Sequence, residues 1–241
     1  MELNQNFLTS LKLYFGHKKG YPYDIPSLSN VKELSFECPV TFFVGENGSG
    51  KSTLLEAIAV GMGLNAEGGS KNFNFSTHES HSTLSEDITF IKGYRKPKDS
   101  FFLRAESFYN VASEIDRLGG DIHQQYGNRS LHSRSHGESF LALMENRFRG
   151  NGFYLFDEIE SALSPSRQLD ALAQMDRLVK QKSQVIMATH SPILLAYPNA
   201  CIFEFSHQGI KMVPYEETET YRVTKDFLMN YKHIQHVLFN G

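Results

Sequence analysis

The chain lacks the features that would tie it to a membrane, a disulfide scaffold or a polyanion. No apolar run approaches a bilayer-spanning length, and the start, Met1-Glu2-Leu3-Asn4-Gln5-Asn6, does not read as a signal peptide. The cytoplasm is therefore the expected compartment. Only 2 cysteines occur in 241 residues, and Cys38 and Cys201 lie far apart in apolar, strand-like runs. Both read as small core residues and not as a disulfide or a metal framework. A formal charge of −3 leaves no global basic field, so any contact with nucleic acid would have to be local. There is no internal repeat and no low-complexity tail. What remains is a hydrophobic content of 40% and a charged content of 21%, ordinary for a globular protein. The length suits one α/β domain over residues 1–241, with a sizeable core.

Against that plain background stands one dense motif. Gly45-Glu46-Asn47-Gly48-Ser49-Gly50-Lys51-Ser52 is glycine, four residues, glycine, lysine and serine, the pattern of a phosphate-binding loop. Its glycines let successive backbone N–H groups turn inward on phosphate oxygens. Lys51 suits the β- and γ-phosphates, and the Ser52 hydroxyl suits Mg²⁺. The apolar run Val40-Thr41-Phe42-Phe43-Val44 leads in, and the helical segment from Thr53 to Ala59 leads out. Strand, glycine-rich turn and helix N-terminus together place an anion on a helix dipole. The chain is expected to bind a nucleoside triphosphate.

Three further segments suit the same chemistry. Phe153-Tyr154-Leu155-Phe156 reads as a buried strand ending in Asp157 and Glu158. Open α/β sheets bind ligands at that end of a strand. Asp157 fits a Mg²⁺ position opposite Ser52, and Glu158 fits the orientation or deprotonation of an attacking water. Val185 to Ala188 reads as another buried strand, with His190 just beyond it and able to sense a γ-phosphate. Finally, Ser135-His136-Gly137-Glu138-Ser139 precedes a helix expected over residues 138–149, with Phe140, Leu141, Leu143, Met144 and Phe148 inward. A hydroxyl and a glycine at a helix start form a second anion nest. Two phosphate sites for one triphosphate make sense if a dimer shares them. The clearest amphipathic helix runs from Ser166 to Lys182, with Leu169, Leu172, Met175, Leu178 and Val179 on its apolar side.

These motifs, in this order, resemble an ATP-binding-cassette (ABC) type ATPase. The resemblance covers residues 40–195: the loop 45–52, the signature-like 135–139, Asp157-Glu158, the loop Ser161-Ala162-Leu163-Ser164, and His190. Phe102 to Ser107, Ser139-Phe140-Leu141 and Thr189 to Pro198 are similar to small standalone bacterial ATPases related to SMC and recombination-repair ATPases. The resemblance implies a P-loop NTPase of ABC type, a mainly parallel sheet flanked by helices. An N-terminal antiparallel β region and an inserted lobe of about residues 65–150 carrying the signature would complete it. It implies ATP and Mg²⁺ as cofactors, with residues 45–53 and the partner's Ser135, Gly137 and Glu138 enclosing each nucleotide in a head-to-tail homodimer. Lys51, Glu158 and His190 would carry hydrolysis, with Ser52 and Asp157 at the metal. The dimer would be a cytoplasmic switch, in DNA maintenance or phage defence, with nucleic acid or a separately encoded effector as partner; a membrane partner is not expected. The alternatives are the nucleotide-binding subunit of an ABC transporter and a non-catalytic ATP-gated scaffold.

Several positions stay open at this level. Glu106 stands first for the family's metal- and water-contacting glutamine, with Gln124 or Gln125 behind it. Tyr21 and Tyr23 both lie where an adenine-stacking aromatic could sit. Lys92, Arg95, Lys96 and Lys98, among Tyr94, Phe101 and Phe102, could form a nucleic-acid patch. Of His78, His81, His123, His132 and His136, only His132 and His136 have the i, i+4 spacing of a helical metal pair, and all five sit in glycine- and serine-rich sequence without neighbouring cysteines. The stretch between Ser52 and Ser135 is too short for the coiled-coil arms of SMC proteins.

Overall fold

The computed structural model describes residues 4–69, 83–106, 108 and 136–240. Their elements run β1 (Leu8–Leu13), α1 (Pro26–Ser29), β2 (Glu33–Ser35), β3 (Val40–Gly45), α2 (Lys51–Gly61), β4 (Ile88–Lys92) and β5 (Asp99–Arg104). After the undescribed segment come α3 (His136–Asn146), β6 (Gly152–Asp157), α4 (Pro165–Lys180), β7 (Gln184–Ala188) and α5 (Pro192–Leu195). The chain ends on β8 (Cys201–Ser206), β9 (Gly209–Met212) and α6 (Glu219–Asn240).

Two sheets result. The larger has the order β5-β6-β7-β3-β8-β9, and the smaller is β2-β1-β4. In the larger sheet every neighbouring pair is parallel except β8 with β9. The smaller sheet is antiparallel. The inner strands of the parallel sheet are covered on both faces, which is why they read as continuous apolar runs without alternation. Phe42, Phe101, Tyr154, Phe156, Val185 and Met187 face one core together with α3, α4 and α5. Phe43, Phe102, Phe153, Leu155 and Ile186 face the other, against α2 and the antiparallel sheet. The phenylalanines among these are fully buried, each contributing about 2–3 kcal/mol of apolar transfer free energy.

Local signals account for most element ends. Pro165 occupies the first turn of α4, where its missing N–H has no helical partner to lose. The buried side of α4 is Gln168, Ala171, Met175 and Leu178. Leu169 is 58% exposed, so the apolar stripe expected from sequence is rotated towards the small Ala171 that fits against the sheet. The helix expected over 138–149 spans His136–Asn146, and its inward side, Phe140, Leu141, Leu143 and Met144, is as expected, as is Phe148 beyond it.

One expectation is overturned. Cys38 and Cys201 form a disulfide, joining positions 163 residues apart. β3 and β8 are adjacent parallel strands with Thr41 opposite Cys201, so the residues just ahead of β3 meet the start of β8. Sequence separation concealed that adjacency.

Besides their shared core, one buried side chain bridges the two sheets through hydrogen bonds. Gln184, the first residue of β7, accepts hydrogen bonds from Phe7 N and Leu8 N through Oε1, both at 2.9 Å. Its Nε2 donates to Leu8 O at 2.9 Å. Gln184→Leu would keep the volume but strand two donors and one acceptor in the core. We expect a loss of about 3 kcal/mol or more, read as a lower urea midpoint. An unchanged midpoint would show that the two sheets do not depend on this contact.

Candidate functional site

The glycines of the loop after β3 are needed for its shape. Gly45 has φ 139°, and a Cβ there would collide with the carbonyl oxygen of Phe205 on neighbouring β8. Gly50, with φ 96°, is the N-cap of α2, and its missing side chain leaves room for Ile25 and Ser27. The loop is further fixed by the Ser27 hydroxyl, which donates to Ser49 O. Lys51 is buried, and its Nζ donates to Gly45 O at 2.8 Å and Glu46 O at 2.9 Å. Burial lowers its pKa against the opposing pull of Glu158, Asp157 and Glu160. The loop lines one wall of a cleft of about 670 Å³, whose other walls include His190, Glu204 to His207 and the first turns of α6.

β6 and β7 bring the acids and the histidine to the same edge of the sheet. The Ser52 hydroxyl donates to Asp157 Oδ1 at 2.9 Å, so the two expected metal-binding residues touch. Burial pushes the Asp157 carboxyl up to about 6, against the Arg104 charge and the Ser52 hydrogen bond. Glu158 adopts left-handed backbone geometry, φ 50° and ψ 42°, which is uncommon for a residue with a Cβ and costs of order 1 kcal/mol or more. The bend carries the chain from the strand into the short helical turn Ile159–Ala162. It leaves Glu158 Oε1 3.6 Å from His190 Nε2.

Two residues that sequence reasoning passed over hold this arrangement. Arg104, in register with Asp157 across β5 and β6, places Nε 3.4 Å from Asp157 Oδ2. Its guanidinium also reaches Glu56 at 3.3 Å, Ala66 O at 3.2 Å and Glu106 at 3.8 Å. A charged residue closing an apolar strand was the available signal. Glu160 accepts the backbone N–H of His190 at 2.6 Å, tying the turn after β6 to the end of β7. The Ser191 hydroxyl completes the fixation, accepting from Ile193 N and Leu194 N and donating to Gln168.

Other expected residues lie elsewhere. Glu106 is exposed; it pairs with Arg104 at 3.8 Å, and its charge adds to the upward push on the Asp157 carboxyl. Gly137 packs at the start of α3 so tightly that a Cβ would sit 2.9 Å from Ala162 O. Glu138 pairs with Arg167 at 3.1 Å. Neither lines the cleft at residues 45–49. Ser135 falls outside the described residues, as do Gln124, Gln125 and the histidines 78, 81, 123 and 132. Tyr23 is a core residue bonded to Asp87 at 2.8 Å, which leaves Tyr21, 73% exposed and bonded to Thr53, as the aromatic beside α2. In the basic run, Phe101 and Phe102 are buried in β5, and Arg95 is held by Gln5 O and Asn151 while covering the Phe7 ring. Among the described residues, no helix is long and apolar enough to cross a membrane.

The residues present fit a nucleotide and a divalent cation. Ser49 Oγ, Glu160 Oε2 and His190 Nε2 are buried polar atoms without a hydrogen-bond partner, close around the loop and strand ends. A glycine-rich turn on a helix N-terminus, a buried ammonium, and a hydroxyl touching a buried carboxylate match triphosphate and Mg²⁺ by donor type. This fold and loop are those of a P-loop NTPase domain with an ABC-type fold. Residues 24–186 match the family model described as an AAA domain, and the chain belongs to that family. The protein cbiO1 from Clostridium perfringens, part of the ABC transporter complex cbiONQ, is 15% identical, with coverage of 97% and 99% of the two chains and a TM-score of 0.52. An ATP-binding cassette of an ABC transporter is 17% identical over 92% and 96%, with a TM-score of 0.48. The SMC head domain from Thermotoga maritima is 18% identical over 86% and 98%, with a TM-score of 0.44. No curated protein matches the chain.

Two predictions come from this geometry. The folded Asp157 carboxyl holds its proton to about 6, above its ordinary value of 3.8, so burial penalises the charged form. Its contribution to the stability of the metal-free protein is greatest below pH 4 and is lost as pH rises through 6. Asp157→Asn should therefore raise the Tm at pH 7, with the gap closing as the pH is lowered towards 4. A gap that is constant with pH would contradict the shift.

Glu160→Ala removes the acceptor for the His190 N–H. Nucleotide turnover should fall about tenfold with nucleotide affinity little changed, and Glu160→Gln should restore most of it. Equal losses in both variants would mean that charge, not the hydrogen bond, matters at this position.

Proposed function

We propose that this chain is a Mg²⁺-dependent ATPase whose ATP-loaded form is a head-to-tail homodimer and whose hydrolysed form opens. The observation that carries the reading is the convergence of residues 45–52, Asp157, Glu158 and His190 at one edge of the sheet, while Gly137 and Glu138 sit against residues 162–167. On this reading a single chain carries two half-sites, one at the loop 45–53 and one around residues 137–138. Closure of two copies would bring residues 135–138 of one over the loop 45–53 of the other.

Within each closed site, the backbone N–H groups of the loop and Lys51 hold the triphosphate and neutralise its charge. Ser52 and Asp157 would hold Mg²⁺, which would supply further neutralisation of the phosphate oxygens. Glu158 accepts a proton from the attacking water as its oxygen bonds to the γ-phosphorus and the bond to ADP breaks. His190, its backbone N–H held by Glu160 and its Nε2 facing Glu158, donates towards the γ-phosphate oxygens through Nε2. Loss of that phosphate removes what joins the two copies. Such a cycle suits a cytoplasmic switch acting on nucleic acid or on a separately encoded effector.

Glu158→Gln keeps the side-chain shape and removes its basicity, so hydrolysis should fall by about 10²-fold or more while ATP stays bound. Light scattering should then show a larger dimer fraction with ATP and Mg²⁺ than with ADP. Lys51→Ala should show neither ATP retention nor that increase. Normal turnover by Glu158→Gln would remove Glu158 as the base, and identical dimer fractions with ATP and ADP would end the closure model.

A further inference from the structure

The last helix departs from the rest of the molecule. It is anchored at its start, where the Tyr221 ring packs on Tyr215 at 4.6 Å and buried Thr218 accepts the Tyr221 N–H. Glu219, Thr220, Arg222, Val223 and Thr224 line the cleft beside the phosphate loop. From Lys225 to Phe239, however, every residue except half-buried Ile234 is exposed. That exposed part is strongly apolar, with Leu228 at 66%, Met229 at 75% and Phe239 at 77%. A helical extension of this length is marginal in water by itself, and exposed apolar surface on this scale marks an interaction site.

The sequence of the helix says what kind of partner fits. Val223, Phe227, Tyr231, Ile234 and Leu238 recur at steps of four, four, three and four, close to the alternating three- and four-residue steps of a helical seam, with the bend at Asn230 falling within the second step. Off that seam, Lys225, Asp226, Lys232 and His233 alternate with exposed Leu228, Met229 and Phe239, unlike the continuous basic face that an anionic lipid surface attracts. The seam also reads nearly the same in both directions. Reversed, Val223 meets Leu238, Phe227 meets Ile234, and Tyr231 falls at the centre beside the bend at Asn230.

We propose that α6 is a pairing arm that docks antiparallel on α6 of a second copy of this chain, with or without nucleotide. The contact is isologous, so two chains close it and no filament follows. Five to seven side chains on each arm bury about 1,000–1,200 Å² in total, near the lower limit for a specific interface, so the pairing is concentration-dependent. Because the arm begins on the wall of the phosphate cleft, pairing keeps two nucleotide sites close together. This goes beyond the ATP-driven closure proposed above and is tested separately from it.

Light scattering of the full chain without nucleotide should show a monomer at low concentration and a dimer as the concentration rises through the micromolar range. Phe227→Glu combined with Ile234→Glu should remain monomeric, with an unchanged circular dichroism melt showing that the body is intact. A wild-type chain that stays monomeric, or a doubly charged variant that still dimerises, would overturn the proposal. In a mixture of Phe227→Cys and Ile234→Cys chains, oxidation should cross-link 227 to 234 between chains faster than it links like positions. Preference for like positions would overturn the antiparallel arrangement. Failure of ATP-driven closure is read independently, in the doubly charged variant carrying Glu158→Gln, where a dimer that needs ATP and Mg²⁺ reports on the heads alone.

Discussion

The nucleotide end of this molecule depends on one arrangement, a carboxylate held out of water at the end of β6. Asp157 is 6% exposed, and its neighbours answer that burial on two sides. The Ser52 hydroxyl donates to one oxygen and the Arg104 guanidinium approaches the other. Because Ser52 opens α2 and Arg104 ends β5, satisfying Asp157 draws three elements to one point. The raised proton affinity is the residue of an incomplete compensation, since burial outweighs both partners. A site left in that condition is suited to a second, larger positive charge.

The parts of this site that repeat a backbone shape were legible in the sequence. Residues 45–52 need φ values that glycine supplies, and an apolar strand followed by two acids points to a sheet edge. The parts that depend on register were not. Arg104 lies opposite Asp157 only because β5 pairs in parallel with β6, and nothing local to Phe101-Phe102-Leu103-Arg104 states that pairing. Glu160 was similarly hidden, because its partner is a backbone N–H thirty positions further along the chain.

The same distinction holds for the fold. Strand and helix identities over β3, β6, α4 and β7 followed from apolar runs and periodicity. The adjacency of β3 and β8, which unites Cys38 with Cys201, did not, since both cysteines sit in runs that a buried strand would show anyway. Leu169 was assigned inward by spacing alone, whereas the sheet surface accepted Ala171 and left the leucine outside. Helical periodicity gives the direction of a face to within about one residue, and packing chooses within that range.

Gln184 carries a consequence for motion. Its three hydrogen bonds fasten β1 to the beginning of β7, and β7 ends at the turn that presents His190. The antiparallel sheet and the histidine therefore sit at opposite ends of one five-residue strand that is buried throughout. A strand so clamped transmits a push without bending. The two sheets should tilt together as a single lever, and any change of angle within the molecule must be taken up outside that joint.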